Sequence, residues 1–359
     1  MKKVLFVATV TRHINAFHIP YLKWFKEQGY EVHVASNGGE NIEYCDKHFN
    51  IPFERFPIKL GNIKAYKQLK SIIDENQYEI IHCHTPVGGV ITRLAARKAR
   101  KKYHTRVIYT AHGFHFYKGA PLLNWIIYYP IEKWLSKYTD CLITINEEDY
   151  QRAKSKFKKA KRIELVHGVG VDENKFKQDM TEEEKVKLRE ELGIEKDEFV
   201  IIYPAELSKR KNQGMLIKAI SLLPNKNKIK VLLAGKDSYQ GRYQKLAKEL
   251  ELEKQIMFLG FRKDIYKLMQ ISNLAVSTSL QEGLPVNIME AMFMGLPIIA
   301  TDCRGNRDLV KKNIKINNIN ELNKFIQKCL VDSNNFIFKD TKKYELKNIL
   351  RKMEKIYNE

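Results

Sequence analysis

The sequence predicts an α/β protein of two doubly wound, Rossmann-like domains, each a parallel sheet with helices on both faces. Three observations carry this. Short apolar, β-branched runs alternate with amphipathic helical stretches from the start of the chain. The alternation is interrupted once, by a polar and charged stretch, and then resumes. A length of 359 residues with 44% hydrophobic content is enough for two cores.

In the first series, strands are expected at Val4–Val10, Glu31–Ala35, Ile80–His84, Val107–Ala111, Cys141–Ile145 and Glu164–His167. Helices are expected at Phe17–Gln28, which stops at Gly29, and at Asn62–Glu75, Val87–Lys101 and Leu122–Tyr138. These make a first domain over residues 1–172. Residues 173–195, with a helical Thr181–Leu192, read as a linker. The second domain, 196–341, alternates strands Phe199–Pro204, Lys230–Ala234, Gln255–Phe258, Leu274–Ser277 and Pro297–Ala300 with helices Asn212–Leu223, Gly241–Leu250, Asp264–Ser272 and Val286–Met294. Residues 342–359 form a last charged amphipathic helix. Ligands of doubly wound sheets lie beyond the carboxyl ends of the strands, so a shared ligand is expected in a cleft where the two domains face each other.

Composition narrows the function classes. The net charge of +21 calls for an anionic partner. No recognised nucleic-acid module accompanies it, so nucleic acid is not the expected partner. Met1–Val10 is basic and then apolar, but Arg12 and His13 follow at once, so it reads as a buried first strand rather than a leader. No apolar run approaches the ~20 residues of a membrane span. Five scattered cysteines without a C-x-x-C pair indicate neither a disulfide framework nor a zinc site, and suggest a reducing, cytoplasmic setting. The phosphate loop G-x-x-x-x-G-K-[ST], the fingerprint G-x-G-x-x-G and any Asp-x-Asp are absent, which argues against kinases, nicotinamide dehydrogenases and metal-diphosphate sugar transferases.

The chemistry concentrates at Gln281–Met292. Glu282 and Glu290 stand eight positions apart around a Gly283-Leu284-Pro285 break between a strand and a helix. Proline is favoured at the start of a helix, and a helix start offers unpaired N–H groups and a positive dipole end to an anion. Two carboxylates bracketing such an anion suit hydroxyl groups on either side of it, a sugar and a ribose. Glu282 as a cap and Glu290 as a solvated surface residue is an equally good reading of this stretch alone. The loop Ala205–Asn212 places Lys209, Arg210 and Lys211 beyond a strand, with Lys211 suited to a diphosphate oxygen; a basic loop is otherwise simply solvated. The turn at Gly260, Phe261 and Arg262 suits backbone contacts to a nucleobase.

In the first domain, His112 follows a strand and suits a sugar or acceptor hydroxyl, against a purely structural role. His82 and His84 share a strand face with Cys83 pointing away, and without further ligands nearby no metal site is expected. The clusters Arg93–Arg106, including Arg97, Lys101 and Lys102, and Arg152–Arg162 are basic patches, solvated or turned to an anionic membrane surface. The aromatic stripe Trp125, Tyr128, Tyr129 and Trp134 is expected in the core rather than as a membrane anchor.

Glu282-Gly283-Leu284-Pro285 followed by Glu290-Ala291-Met292 resembles the E-x7-E motif of the retaining family 4 glycosyltransferases, which have the GT-B fold. The likeness extends to His112 in Thr-Ala-His-Gly, to residues 167–172, to Lys211 in Lys-Arg-Lys-Asn, to Gly260-Phe261-Arg262 and to Asp302–Arg307, and is strongest with the bacterial capsule and exopolysaccharide branch. The resemblance implies a nucleotide-sugar donor, probed best as a UDP-sugar, and a lipid-linked saccharide acceptor, at the inner face of the cell membrane. It implies Glu282 on donor-sugar hydroxyls and Glu290 on the ribose. Lys211, with the backbone at Gly283-Leu284, would meet the diphosphate, and Gly260–Arg262 the base. His112 would stand beside sugar and acceptor, and the tail helix would cross back to the first domain. No cofactor and no divalent metal are implied, because a lysine and a helix dipole take the metal's place.

Three departures stand out. Glu206 occupies a position where many relatives carry a phosphate-binding arginine, a role Arg210 is placed to take. The loop Thr9–His13 lacks the usual Gly-Gly. The chain is also short between Lys312 and Asn320, where a strand and turn are missing, so the edge 310–341 is expected to be reduced. Competing readings are another GT-B enzyme such as a nucleotide-sugar epimerase, and an inactive relative that binds anionic lipid or a partner transferase.

Overall fold

Every strand pairing is parallel. The computed structural model describes residues 1–56, 59–176, 178–310, 315–338 and 340–359. It divides into two units, Met1–Val169 with Lys347–Glu359, and Gly170–Leu346. The first unit holds β1 (Lys3–Val10), β2 (Glu31–Asn37), β3 (Lys47–Asn50), β4 (Ile80–His84), β5 (Arg106–Ala111), β6 (Cys141–Thr144) and β7 (Arg162–Leu165). Their order across the sheet is β3-β2-β1-β4-β5-β6-β7. Burial on both faces explains the near-continuous apolar reading of these strands. Along β1, Leu5 and Val7 join Leu69, Ile73 and Ile91 on one face. Val4 and Phe6 join Leu22 and Phe25 of the helix Ile19–Glu27 on the other.

That second face is completed from the far end of the chain. Ile349, Met353, Ile356 and Tyr357 of the helix Leu346–Asn358 pack into it. Arg106 donates to the carbonyls of Ile356 and Tyr357 at 2.6 Å each, satisfying backbone acceptors that a helix end leaves open. The Tyr357 hydroxyl meets His82 Nδ1 at 2.8 Å.

The second unit holds β8 (Phe199–Pro204), β9 (Ile229–Ala234), β10 (Ile256–Gly260), β11 (Leu274–Ser277), β12 (Ile298–Thr301) and β13 (Lys315–Ile316), in the order β10-β9-β8-β11-β12-β13. Both sheets reverse their strand order once, between β1 and β4 and between β8 and β11.

Several expectations need correction. Residues 173–195 are not a free linker but part of the second unit. Leu188 and Ile194 are buried there, Arg189 donates to the carbonyls of Ile271, Glu195 and Glu198, and Thr181 and Glu184 form a capping box on the helix Glu182–Glu191. The strand expected to be missing after Arg307 is present as two-residue β13, paired to β12; residues 311–314 of the shortened stretch lie outside the described residues. Strand β3 and the helices Glu147–Lys156 and Ile319–Val331 have no counterpart in the sequence reading. The first two are short or highly charged, which hides their period.

The cluster Arg93–Arg106 is only partly a surface patch. Arg93 is 1% exposed, paired with Glu132 at 2.9 Å and stacked 4.0 Å from the Tyr109 ring. Arg100 grips Asp140 through two nitrogens, at 2.8 and 2.7 Å. Arg97, Lys101 and Lys102 remain exposed.

Replacing Arg106 by Ala removes two charge-assisted bonds to the closing helix. A loss of about 2 kcal/mol is expected, read as a drop of several degrees in melting temperature by calorimetry.

Candidate functional site

In the second unit the sheet reverses between β8 and β11, and the loops that leave the carboxyl ends of these two strands carry the predicted donor residues. Open α/β sheets place ligands at this position because the two loops diverge and leave a crevice. Here the loops are tied together. Leu280 N–H donates to the Arg210 carbonyl at 2.9 Å, the Thr278 hydroxyl to the Asn212 carbonyl at 2.8 Å, and the Tyr203 hydroxyl to the Lys211 carbonyl at 2.8 Å. Asn212 takes a left-handed conformation, φ 53°, as it opens the helix Gln213–Ser221.

This scaffold brings Lys211 Nζ to 2.5 Å from Glu282 Oε1, while Arg210 Nη1 stands 3.3 Å from Oε2. Lys211 and Glu282 side chains are 13% and 8% exposed, so the pair is largely desolvated, and Arg210 forms its outer, half-exposed arm. Arg304, itself buried, donates to the Glu282 carbonyl at 3.1 Å. Gly305, at φ 82°, lies so close behind that a Cβ there would sit 2.5 Å from the Gly283 carbonyl oxygen. The segment after β12 thereby backs the Glu282–Gly283 turn. Glu206 points away from this group and accepts from the Ser238 hydroxyl.

Pro285 is the cap rather than the first residue of the helix Val286–Phe293, and its side chain makes no capping bond, so it leaves the first N–H groups of the helix without the partner that a polar cap residue would supply. Leu284 and Pro285 are buried beneath the turn. Glu290 stands one turn into the helix. Its carboxylate has no hydrogen-bond or ion-pair partner among the described residues, and burial pushes it up to about 7, with Lys175 pulling the other way. Lys175 lies in the turn Glu173–Phe176 of the segment expected to be a linker, and no sequence signal marks it.

At the end of β10, Gly260 has φ 62°, a conformation glycine adopts readily. Phe261 is 67% exposed, a free ring face, whereas the Arg262 guanidinium is held by Asp264 at 2.8 and 2.6 Å. Arg262 therefore offers its backbone rather than its charge.

In the first unit, His112 follows β5 and is not alone. His13 from the helix Thr11–Phe17, His18, and His84 at the end of β4 converge on it around the reversal between β1 and β4. Burial holds His13 down at about 4, and His18, His84 and His112 lie well below the usual range, through burial first and then through the neighbouring histidines, His82 among them. The sequence reading found His84 and His112 separately; a contact among four histidines from three distant segments has no signature in spacing. His82, by contrast, is satisfied on both nitrogens, by Tyr357 and Thr110 at 2.8 Å.

The helix Leu122–Leu135 turns Trp125, Tyr128 and Tyr129 onto the core. Leu122, Leu123, Ile126, Ile127 and Ile131 are left exposed on it, an aliphatic stripe that the aromatic pattern concealed, and Trp134, expected in the core, is exposed with them.

The Glu290 shift has a definite pH consequence. A carboxyl raised from about 4.5 to about 7 on folding costs stability as pH climbs through that window, and the cost is complete above it. Glu290→Gln is expected to melt higher than wild type at pH 8, with the gap narrowing toward pH 5, in melting curves taken across pH.

Residues 3–146 match the family Glycosyl transferase 4-like and residues 184–346 the family Glycosyl transferases group 1. Glycosyltransferase EpsD of Bacillus subtilis (strain 168) is 50% identical over 311 residues, covering 86% of this chain and 81% of the relative. The Escherichia coli UDP-Gal:alpha-D-GlcNAc-diphosphoundecaprenol alpha-1,3-galactosyltransferase is 28% identical over 307 residues, covering 82% and 77%. Anabaena Alr3699/HepE, solved with UDP and glucose, superposes with a TM-score of 0.77 over the whole of both chains at 19% identity, a likeness of fold. With two parallel α/β units and the Glu282–Glu290 turn at the reversal of the second sheet, the chain belongs to the family 4 glycosyltransferases of the GT-B fold, in their capsule and exopolysaccharide branch.

Proposed function

We propose that this glycosyltransferase is a retaining enzyme that moves a hexosyl or N-acetylhexosaminyl unit from a UDP-sugar to a lipid-linked saccharide. The observation that carries the reading is the desolvated Lys211–Glu282 pair beside an uncapped helix start, with the unpartnered Glu290 one turn further in. The diphosphate docks on the N–H groups that open the Val286 helix and draws Lys211 toward its oxygens. Glu282, with Arg210 still beside it, then accepts from sugar hydroxyls, and Glu290 from the ribose. Phe261 and the Gly260 backbone hold the base. The acceptor oxygen attacks the anomeric carbon on the face from which the diphosphate departs. The carbon–phosphate-oxygen bond breaks as the glycosidic bond forms, and the acceptor proton passes to the leaving phosphate. His112 is assigned to a sugar or acceptor hydroxyl. Lys211 and the helix dipole supply the positive field at the leaving group, so no divalent ion is required there. The donor assignment draws support from the E. coli relative, whose name specifies UDP-Gal and an undecaprenol-linked acceptor.

The reading extends to the inner face of the cell membrane, where such an acceptor resides. The helix Leu122–Leu135 has one acid, Glu132, and it is buried against Arg93. Its exposed face is aliphatic, with Lys133 and Lys137 alongside Tyr129 and Trp134. An apolar stripe rimmed by lysines, with Lys101 and Lys102 exposed on the short helix Ala99–Lys102, Arg97 exposed in the turn before it, and Arg100 of that helix donating to the Lys137 carbonyl, fits an anionic bilayer surface.

Lys211→Ala and Glu282→Ala are each expected to lower kcat about 10²–10³-fold, the size of effect seen when one preorganised charge-stabilising group is removed. The measurement is transfer or hydrolysis across a panel of UDP- and GDP-sugars; turnover equal to wild type in both variants would refute the assignment. In liposome sedimentation, Leu123→Glu combined with Ile126→Glu is expected to abolish binding to anionic vesicles without changing hydrolysis of a donor in the absence of lipid.

A further inference from the structure

We propose that His13, His18, His84 and His112 form a binding site for one zinc-class transition-metal ion at the strand reversal of the first unit. One ring nitrogen from each residue lies within 4.8 Å of every other. His112 Nε2 is 3.3 Å from both His13 Nε2 and His84 Nδ1. Two nitrogens bound tetrahedrally to zinc at about 2.0–2.1 Å would stand about 3.3–3.4 Å apart, so these separations already have the spacing that a shared ion would impose.

Hydrogen bonding among the rings does not account for the arrangement. His112 Nε2 faces two other ring nitrogens, and a neutral nitrogen either donates its single proton or offers its single lone pair. Both ring nitrogens of His18 and Nε2 of His84 are buried without a hydrogen-bond partner among the described residues. Every neutral imidazole carries one N–H and one lone pair, so His18 holds both unused. His82, two residues from His84 on the same strand face, shows what a structural histidine looks like here, with each nitrogen satisfied. Three ring nitrogens of the cluster thus have no partner while the four rings converge, the arrangement in which neutral imidazole ligates a metal. An all-nitrogen set favours zinc, copper, nickel or cobalt over magnesium and calcium, which take oxygen ligands.

The surroundings fit a ligand site. A cavity of ≈ 10 Å³ touches His18, His84 and His112, room for about one water-sized occupant. Beside it Thr85 takes φ 65° and ψ 150°, a conformation unfavourable for a residue with a Cβ. Its hydroxyl holds it there, bonded to Thr9 N at 3.1 Å and 2.6 Å from the Thr9 hydroxyl, which locks the ends of β4 and β1 that deliver His84 and His13. The four ligand residues all belong to the first unit and include none of the donor residues Lys211, Glu282 and Glu290, and binding of the ion requires no nucleotide. Because His112 is also the residue assigned to a sugar or acceptor hydroxyl, the readout is metal retention rather than turnover, and the proposal stands or falls separately from the assignment of the donor residues in the second unit.

The test uses the full chain without an affinity tag, stripped with chelator and titrated with Zn²⁺ alone by calorimetry, with metal content measured after dialysis. One equivalent retained by the wild type is expected. Co²⁺ in place of zinc is expected to give the intense visible bands of a tetrahedral nitrogen site. His13→Asn and His84→Gln, each checked for wild-type circular dichroism, should weaken zinc binding more than about tenfold, a loss that even outer-shell partners produce. His104→Asn, at an exposed histidine outside the cluster, should leave it unchanged. Absence of retained zinc and of the cobalt bands in the wild type overturns the proposal. So does a full equivalent held with wild-type affinity by both cluster variants.

Discussion

The ion pair between Lys211 and Glu282 is the constraint around which the second unit is arranged. It joins loops from the two strands that flank the reversal of the sheet, so it is available only because β8 and β11 are neighbours although 69 residues of chain lie between Pro204 and Leu274. Two charges this far out of water are costly to hold unless both are well paired and hydrogen-bonded. The surrounding bonds answer that cost: Tyr203 and Thr278 fix the backbone of Lys211 and Asn212, Arg304 fixes the backbone of Glu282, and Arg210 shares the carboxylate. In the proposed donor role, a lysine already desolvated and oriented would need little rearrangement for a phosphate to replace one of its partners, which is the physical basis of preorganised electrostatic stabilisation.

Glu290 shows the complementary strategy. Its helix position is ordinary, but its carboxylate is partly buried and has no protein partner among the described residues. A buried group without a partner is a liability in the free protein and an asset when a ligand provides hydroxyl donors. In the proposed ribose-binding role, stability and binding would pull in opposite directions at this residue, as they do at many sites that recognise polar ligands.

The first unit repeats the architecture with different chemistry. Its reversal, between β1 and β4, gathers imidazoles instead of an ion pair, and its second core face is closed by a helix from the far end of the chain. That helix is bound in by Arg106 and by the His82–Tyr357 bond, so the unit is built from residues separated by more than 250 positions. The conspicuous arginines of the 93–106 stretch turn out to divide their work. Arg93, Arg100 and Arg106 hold the fold, while Arg97 and the lysines between them are exposed.

Strand and helix periods, the two-unit organisation and the Glu282–Glu290 turn were legible in the sequence because each depends on residues close together in the chain. Lys211 and Gly260–Arg262 were legible as loops beyond strands for the same reason. What the sequence could not determine was who meets whom across the sheet. The four histidines come from three segments far apart in the chain, and the aliphatic face of Leu122–Leu135 was masked by more conspicuous aromatics. Lys175 lies in a polar stretch that looks like a tether until Arg189 pins it down. Those relations are set by strand order and by which side of a helix finds a core, and both are properties of the folded chain rather than of local spacing.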